Sequence, residues 1–328
     1  MEDARDLFYR EQLMQRRRNL EAAASEFKQT VRLMRLMQEV DTALRRLDEC
    51  SFGVCELCHD PIEEERLVAD PLVTVCLDHM TPEQHRQLED DLDLAHHIQG
   101  QFIPKGPITA DGWEARFHYE PAGVVSGDYL DLLSPAGPDG DLYFLLGDVA
   151  GKGVAASMLM AHLHALFRSL IWMHEPVGEM MERANRIFAE STLASQYATL
   201  ALVKASGDGG LEICNAGHCP PLLLQGDEVH AVEATGLPLG MFSEGSYETR
   251  SARIEPGDGV LLYTDGITEA MDGSGAEYGA ERLAQLAAEG RNIPLEELVL
   301  TCVQDVQTFT QGKPRTDDRT LMAIRRVE

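Results

Sequence analysis

The apolar positions change period along the chain, and each change marks a different kind of element. Residues 2–49 contain no glycine or proline. Leu13, Leu20, Ala24, Phe27, Val31 and Met34 recur at intervals of three, four or seven, and Met37, Val40, Leu44 and Leu47 continue the stripe in a shifted phase. This pattern predicts one long amphipathic, coiled-coil-like helix over residues 1–49. A helix of that length has few partners before it in the chain, so the stripe predicts self-association. A second helix is predicted to begin at Thr81-Pro82-Glu83, with Thr as N-cap and Pro in the first turn. Leu88, Leu92, Ala95, Ile98 and Phe102 line one side of it as far as Pro104. Lys105-Gly106-Pro107 then breaks the pattern and reads as a domain boundary.

Beyond residue 113 the period falls to two. Ala115, Phe117 and Tyr119 alternate as in a half-buried strand. Leu130–Leu133 and Leu142–Leu146 flank Gly137-Pro138-Asp139-Gly140 and predict a hairpin. Two helices follow, over Val154–Trp172 and Val177–Ser191. A meander of Tyr197–Lys204, Leu211–Asn215, Leu222–Gln225 and Val229–Val232 comes next. Further strands are predicted at Tyr247–Ile254 and Val260–Tyr263, two helices between Ala280 and Thr310, and a last strand at Leu321–Val327. Strands joined by tight turns indicate antiparallel sheets in a mixed α/β domain, not a βαβ series.

Charge narrows the partners. The 328 residues carry a formal net charge of −27, which opposes non-specific binding to nucleic acid or to anionic membrane. The first twenty residues are charged throughout and predict no export signal. The longest apolar stretch, near Met158–Phe167, holds two histidines and reads as too short to span a bilayer. Seven cysteines, at 50, 55, 58, 76, 214, 219 and 302, are odd in number and unevenly clustered. That is no secreted disulfide framework, and it predicts a reduced, cytoplasmic protein.

Four of the histidine and cysteine residues stand apart. Cys55-x2-Cys58 and Cys76-x2-His79 are paired knuckles with the spacing of a tetrahedral structural zinc site. Soft thiolates and imidazole suit Zn2+. Four protein ligands leave no open position for water, which argues against a zinc hydrolase. The stretch Phe52-Gly53-Val54-Cys55-Glu56-Leu57-Cys58, with Ile62, Arg66-Leu67, Ala69-Asp70-Pro71 and Cys76, resembles the zinc finger of the TraR/DksA family. His79 departs from that pattern, which usually has a fourth cysteine. In that family the finger accompanies a helical hairpin that enters RNA polymerase. Only one helix is predicted ahead of the finger here, so the polymerase role does not carry over, and a scaffold between two helices is the more economical reading.

A second constellation is acidic. Ser126-Gly127-Asp128-Tyr129, Leu146-Gly147-Asp148-Val149, Tyr263-Thr264-Asp265-Gly266 and Thr316-Asp317-Asp318-Arg319-Thr320 each put an aspartate at the end of a predicted strand. Carboxylate, carbonyl and water oxygens are the ligands Mg2+ and Mn2+ favour. Carboxylates gathered together repel one another unless cations lie between them. Singly, each segment is an ordinary Asp-containing turn.

As a set, these segments resemble the bacterial branch of PPM-type metal-dependent phosphatases, the SpoIIE and RsbU group. Tyr119-Glu120-Pro121-Ala122, Gly147-Asp148-Val149-Ala150-Gly151-Lys152-Gly153, Asn215-Ala216-Gly217-His218-Cys219-Pro220-Pro221, Pro256-Gly257-Asp258, Tyr263-Thr264-Asp265-Gly266-Ile267-Thr268-Glu269-Ala270 and Asp317-Asp318-Arg319-Thr320-Leu321 follow its motifs in order. Ala95-His96-His97-Ile98-Gln99-Gly100-Gln101-Phe102-Ile103-Pro104 is similar to the family's linker helix. The resemblance implies a four-layer sandwich, two antiparallel sheets flanked by helices, with two catalytic Mn2+ or Mg2+ ions at one end. It implies that Asp148 bridges both ions, with the Val149 carbonyl as a further ligand. Asp128, Asp265 and one of Asp317 and Asp318 complete the shell, Asp317 being favoured. It also implies hydrolysis of phosphoserine or phosphothreonine by a metal-activated water, on a STAS-domain anti-anti-sigma factor or similar switch protein.

Four segments are therefore expected: a helix over 1–49, a zinc finger over 50–81, a linker helix over 82–104 and a phosphatase domain over 105–328. The first two would regulate the last, in a homodimer formed through residues 1–104. The competing expectation is a catalytically silent phosphatase-like module that docks on transcription machinery. Gly151-Lys152-Gly153 lacks P-loop spacing and reads as a helix-start turn. His218 reads as a turn residue, and His162 and His164 as packing or surface residues.

Overall fold

In a computed structural model, which describes residues 4–26, 31–135, 140–192, 196–226, 228–312 and 315–327, the N-terminal stripe is not one helix. It is two helices, α1 (Ala4–Glu26) and α2 (Val31–Asp48). Arg10 pairs with Asp48 at 2.7 Å and Arg17 with Asp41 at 2.9 Å, so the helices run antiparallel. Tyr9 and Leu13 pack against Val40, Ala43 and Leu47. The apolar stripe therefore finds its partner within the chain, which removes the ground on which self-association was read from it. It also corrects the premise that one helix precedes the finger. The shift of phase noted in the sequence, between Met34 and Met37, falls inside α2 and does not mark the break between the helices. Phe27, at the point where the stripe was read through, lies outside the described residues.

The chain divides into two units, Met1–Asp90 and Asp91–Glu328. In the first, the hairpin shares its core with Phe52, Ile62 and Leu67 of the finger, which includes the short helix α3 (Glu64–Ala69). Helix α4 (Pro82–Gln99) follows. Gln84 N–H donates to Thr81 Oγ1 and Thr81 N–H to the Gln84 side chain. That reciprocal capping box satisfies two otherwise orphaned amides and explains the sharp start. The division between units falls inside α4, not at the predicted break after residue 104.

The second unit contains two antiparallel sheets. One has the order β1 (Ile108–Ala110), β2 (Trp113–Glu120), β11 (Arg319–Arg326), β10 (Gly259–Tyr263), β7 (Leu222–Gln225), β8 (Glu228–Ala231). The other has the order β3 (Asp128–Leu133), β4 (Leu142–Val149), β5 (Ala198–Ala205), β6 (Gly210–Ala216), β9 (Arg250–Arg253). Strand β4 shows how sequence sets the layers. Leu142, Phe144 and Leu146 enter the core between the sheets, while Tyr143 and Leu145 face helices α5 (Gly153–Ile171) and α6 (Val177–Ser191). On β11, Met322 and Ile324 face the inter-sheet core. Leu321 and Ala323 face the layer of α7 (Asp265–Thr268), α8 (Ala280–Glu289) and α9 (Leu295–Phe309). This is the helix–sheet–sheet–helix sandwich expected, with both faces of the central strands buried.

Three details differ from expectation. The predicted meander is split, with β5 and β6 in one sheet and β7 and β8 in the other, because the Gly217–Pro221 segment carries the chain across. Asp265 opens the one-turn helix α7 instead of simply ending a strand. Helix α5 is 19 residues long and, by length and composition alone, apolar enough to cross a membrane. Met160, Leu163, Phe167 and Leu170 bury one side of it against the sheet. Of the predicted hairpin turn, 137–139 lie outside the described residues.

Candidate functional site

The four soft ligands converge. Cys76 Sγ is 3.2 Å from His79 Nδ1, Cys58 Sγ 3.7 Å from Cys76 Sγ, and Cys55 Sγ 4.0 Å from His79 Nδ1. All four donor atoms lie within 4.8 Å of one another. The knuckle closes through an antiparallel bridge between Val54 and Pro61, with Gly53 and His59 at positive φ. Burial opposes ionisation of Cys55, but the backbone amides of Cys58, Cys76 and Leu57 outweigh it and lower the thiol to about 6. A closed set of this kind fits a structural Zn2+ ion. Cys50 is exposed and outside the cluster.

The hard ligands gather less tightly, at one end of the sandwich. Register pairs Asp128 on β3 with Asp148 on β4. A Cβ at Gly127 would lie 3.3 Å from Asp148 Oδ1 and 3.2 Å from the Val149 carbonyl oxygen. These two predicted ligands thus flank a space that a side chain at 127 would crowd. Asp265 begins α7 next to Gly266, where a Cβ would lie 1.9 Å from the Asp318 carbonyl oxygen and 3.3 Å from Asp317 Cβ. That close approach brings the β10 exit against the 317–318 segment. Electrostatics unites the group: burial, then the charges of Asp265, Asp317 and Asp318, raise Asp148 to about 7. Burial and Asp317 likewise raise Asp265. Carboxylates that hold protons this strongly form the arrangement divalent cations would stabilise. The residues present therefore fit the implied ions.

Two of the six predicted ligands are already engaged. Asp128 is buried, and its Oδ2 accepts from the hydroxyls of Thr264, at 3.1 Å, and Thr320. Burial, then the charge of Asp148, raises its pKa well above the carboxylate range. Asp318 accepts from Ala122 N at 2.7 Å, Ser126 Oγ at 2.7 Å and Gly127 N at 2.9 Å. It ties down the loop that leads into Asp128. Asp317 accepts from Asp318 N at 3.0 Å through Oδ1 and from Lys152 Nζ at 2.9 Å through Oδ2, beside a cavity of about 260 Å³ lined also by Glu269 and Arg319.

Sequence reasoning missed three contributors. Gln99, buried at the end of α4, donates to the Ser126 carbonyl at 2.7 Å and accepts from Ser126 N at 2.9 Å. It was legible only as part of the linker motif. Lys152 is the second, because its sequence signal is only that of a helix-start turn. Asp318 is the third, as an anchor. His218 is buried, with Nδ1 2.8 Å from Thr199 Oγ1, and burial lowers it to about 4. It is a neutral support for Thr199 on β5, which pairs with Asp148. Burial, then Asp265 and Glu269, raises the Cys219 thiol to about 12, which is unsuited to a nucleophile.

The model of the stage II sporulation protein E (SpoIIE) family matches residues 138–327. The chain belongs to the SpoIIE family. The prokaryotic dksA/traR C4-type zinc finger matches residues 51–78, one residue short of His79. Protein IcfG of Synechocystis is 27% identical over 271 residues, 72% of this chain and 41% of IcfG. Phosphoserine phosphatase RsbP of Bacillus subtilis is 26% identical over 71% of this chain and 57% of RsbP. The chain thus spans about half the length of these relatives. A crystal structure of RsbU and RsbW domains from Mycobacterium tuberculosis superposes with a TM-score of 0.60 at 30% identity, covering 69% of this chain and 62% of that one. The SiaA-PP2C domain of Pseudomonas aeruginosa shares the fold, with a TM-score of 0.64 at 21% identity over 75% of this chain and 99% of that domain. The SpoIIE-family match runs from just before β4 to the end of β11 and so includes Asp148, Asp265 and Asp317.

Proposed function

We propose that this chain is a metal-dependent protein phosphatase acting on phosphoserine or phosphothreonine of a regulatory protein in the cytoplasm. The observation that carries the reading is the placement of Asp148, Asp265 and Asp317, three carboxylates from separate segments, at one end of the sandwich with the Val149 carbonyl beside Asp148, where burial and the charges of Asp265 and Asp317 raise Asp148. These four would hold two Mn2+ or Mg2+ ions, which when bound supply an activated water and neutralise phosphoryl charge. Asp128 and Asp318 stand behind them. The first fixes β3 to β10 and β11, and the second fixes the loop before β3. The finger would hold one Zn2+. Turnover of a phosphoserine protein that requires Mn2+ and is lost in Asp148→Asn tests the reading; no metal-stimulated turnover on any phosphoprotein or on p-nitrophenyl phosphate would sink it.

Regulation would pass through α4. The segments 1–49, 50–81 and 82–104 form the controlling region in this proposal, and Gln99 grips the backbone two residues before Asp128. A homodimer would use α4, on which Leu94 and Ile98 are exposed. The substrate class follows the resemblance to RsbU-type proteins: a phosphorylated STAS-domain switch protein. Comparing the full chain with residues 91–328 and 105–328 separates loss of the N-terminal unit from loss of Gln99. Equal rates for all three would remove the case for control.

A second reading concerns the first unit alone. A helical hairpin ahead of a TraR/DksA-type finger restores the ground for docking on RNA polymerase. Titration of purified polymerase with the full chain tests it, and no association at micromolar concentration would set it aside.

A further inference from the structure

The acidic end of the sandwich holds a cation to which nothing above gives a task. Lys152 Nζ donates to Asp317 Oδ2 at 2.9 Å and to the Thr316 carbonyl, across 165 residues of sequence. Its side chain is 64% exposed. Gly151 and Gly153 on either side are both at positive φ, with no atom within 4 Å of where a Cβ would stand. The ammonium is therefore held by its acceptors and not by packing. Among the described residues, Lys152 is the cation that reaches these aspartates. It is also the N-cap of the 19-residue helix α5, with no side-chain cap of its own, so the positive end of that helix begins at the same residue.

Two roles fit a lysine here, and they differ in what the ammonium does when the site is filled. As a counter-ion, it serves Asp317 alone and becomes redundant once a divalent cation takes that carboxylate. As a phosphate ligand, it becomes useful at that moment. Two divalent ions do little more than balance the carboxylates gathered here, and a phosphomonoester dianion adds negative charge beside Asp318 and Glu269. A further cation is needed, and a charge-assisted N–H···O bond to a phosphoryl oxygen has the length of the one seen to Asp317. Exposure and glycine flanks give the side chain freedom to change acceptors.

We propose that Lys152 binds the phosphoryl group of the substrate, exchanging Asp317 for a non-bridging phosphate oxygen. This rests on the phosphatase reading of the same site. The test uses the full chain loaded with Mn2+ and inorganic phosphate as the probe, titrated by calorimetry into wild type, Lys152→Met and Lys152→Arg. Phosphate should bind Lys152→Met at least tenfold more weakly and Lys152→Arg within about threefold of wild type. Mn2+ affinity of the metal-free protein should be unchanged or tighter in Lys152→Met, and its melting temperature unchanged. Phosphate binding as tight in Lys152→Met as in wild type, whatever its Mn2+ affinity, would overturn the proposal and leave Lys152 a counter-ion. Failure of the wild type to hydrolyse p-nitrophenyl phosphate with Mn2+ would instead strike the phosphatase reading itself.

Discussion

The two candidate metal sites solve opposite problems. The Cys55–Cys58–Cys76–His79 set is soft, local in sequence and closed, its donor atoms within 4.8 Å of one another. The Asp148–Asp265–Asp317 set is hard, drawn from segments far apart in the chain, and more widely spaced. Four short-range ligands saturate an ion and hold a small unit together. Carboxylates spaced around an open end leave room for ions, water and substrate, at the cost of repulsion when empty. The first arrangement suits a structural ion and the second suits chemistry.

The largest effect that sharpens this contrast is Asp148→Asn. Mn2+-dependent hydrolysis of p-nitrophenyl phosphate should fall by about a thousandfold or more, since metal activation of water contributes several kcal/mol. Zinc content, read by elemental analysis, should stay at wild-type level. The reciprocal change is Cys76→Ser. Loss of zinc should unfold residues 50–80, seen as loss of amide-exchange protection, because structural zinc binding supplies folding free energy of about 10 kcal/mol. Mn2+ affinity of the metal-free protein should stay within about twofold of wild type, because the structural ion takes no part in the second site. A large loss would mean that the two sites are not independent.

A smaller effect is expected at Gln99. Gln99→Ala leaves the Ser126 N–H and carbonyl without their partners, a penalty of roughly 1–3 kcal/mol for each group that stays buried. The Ser126–Asp128 backbone should loosen, and Mn2+ should bind about tenfold more weakly by titration calorimetry, since about 1.4 kcal/mol is tenfold. Unchanged affinity would detach α4 from the metal site.

The same contrast explains what could be read from sequence. The zinc ligands were legible because their spacing is itself the geometry: each pair closes one turn. Strands β4 and β5 were legible because alternating residues are buried on both faces. The aspartates needed the ordered motifs, since an Asp beside Gly is indistinguishable from a turn. What could not be read depended on distant partners. Asp318 and Ser126 are 192 residues apart, and Lys152 and Asp317 165. The N-terminal hairpin was misread because amphipathic periodicity carries no direction. Residues 2–49 hold neither glycine nor proline to announce a reversal. Helix α7, a single turn, is too short for periodicity to register.

The smallest expected effect tests repulsion directly. Asp148 is raised from the ordinary carboxylate range to about 7 in the metal-free protein, by burial and by Asp265, Asp317 and Asp318. A carboxyl whose folded pKa lies above its unfolded value favours the folded state when protonated. That contribution is complete below the unfolded pKa near 4 and is lost as pH rises through about 7. Metal-free protein should therefore melt lower at pH 7.5 than at pH 5, by about 5 °C for a unit of this size. Asp148→Asn should flatten the slope, because an amide has no proton to lose. Saturating Mn2+ should do the same in wild type, because the cation replaces the proton as the partner of the carboxylates. A metal-free wild type that melts higher at pH 7.5 than at pH 5 would show that these aspartates do not repel, and the case for an open divalent-metal site would lose its physical basis.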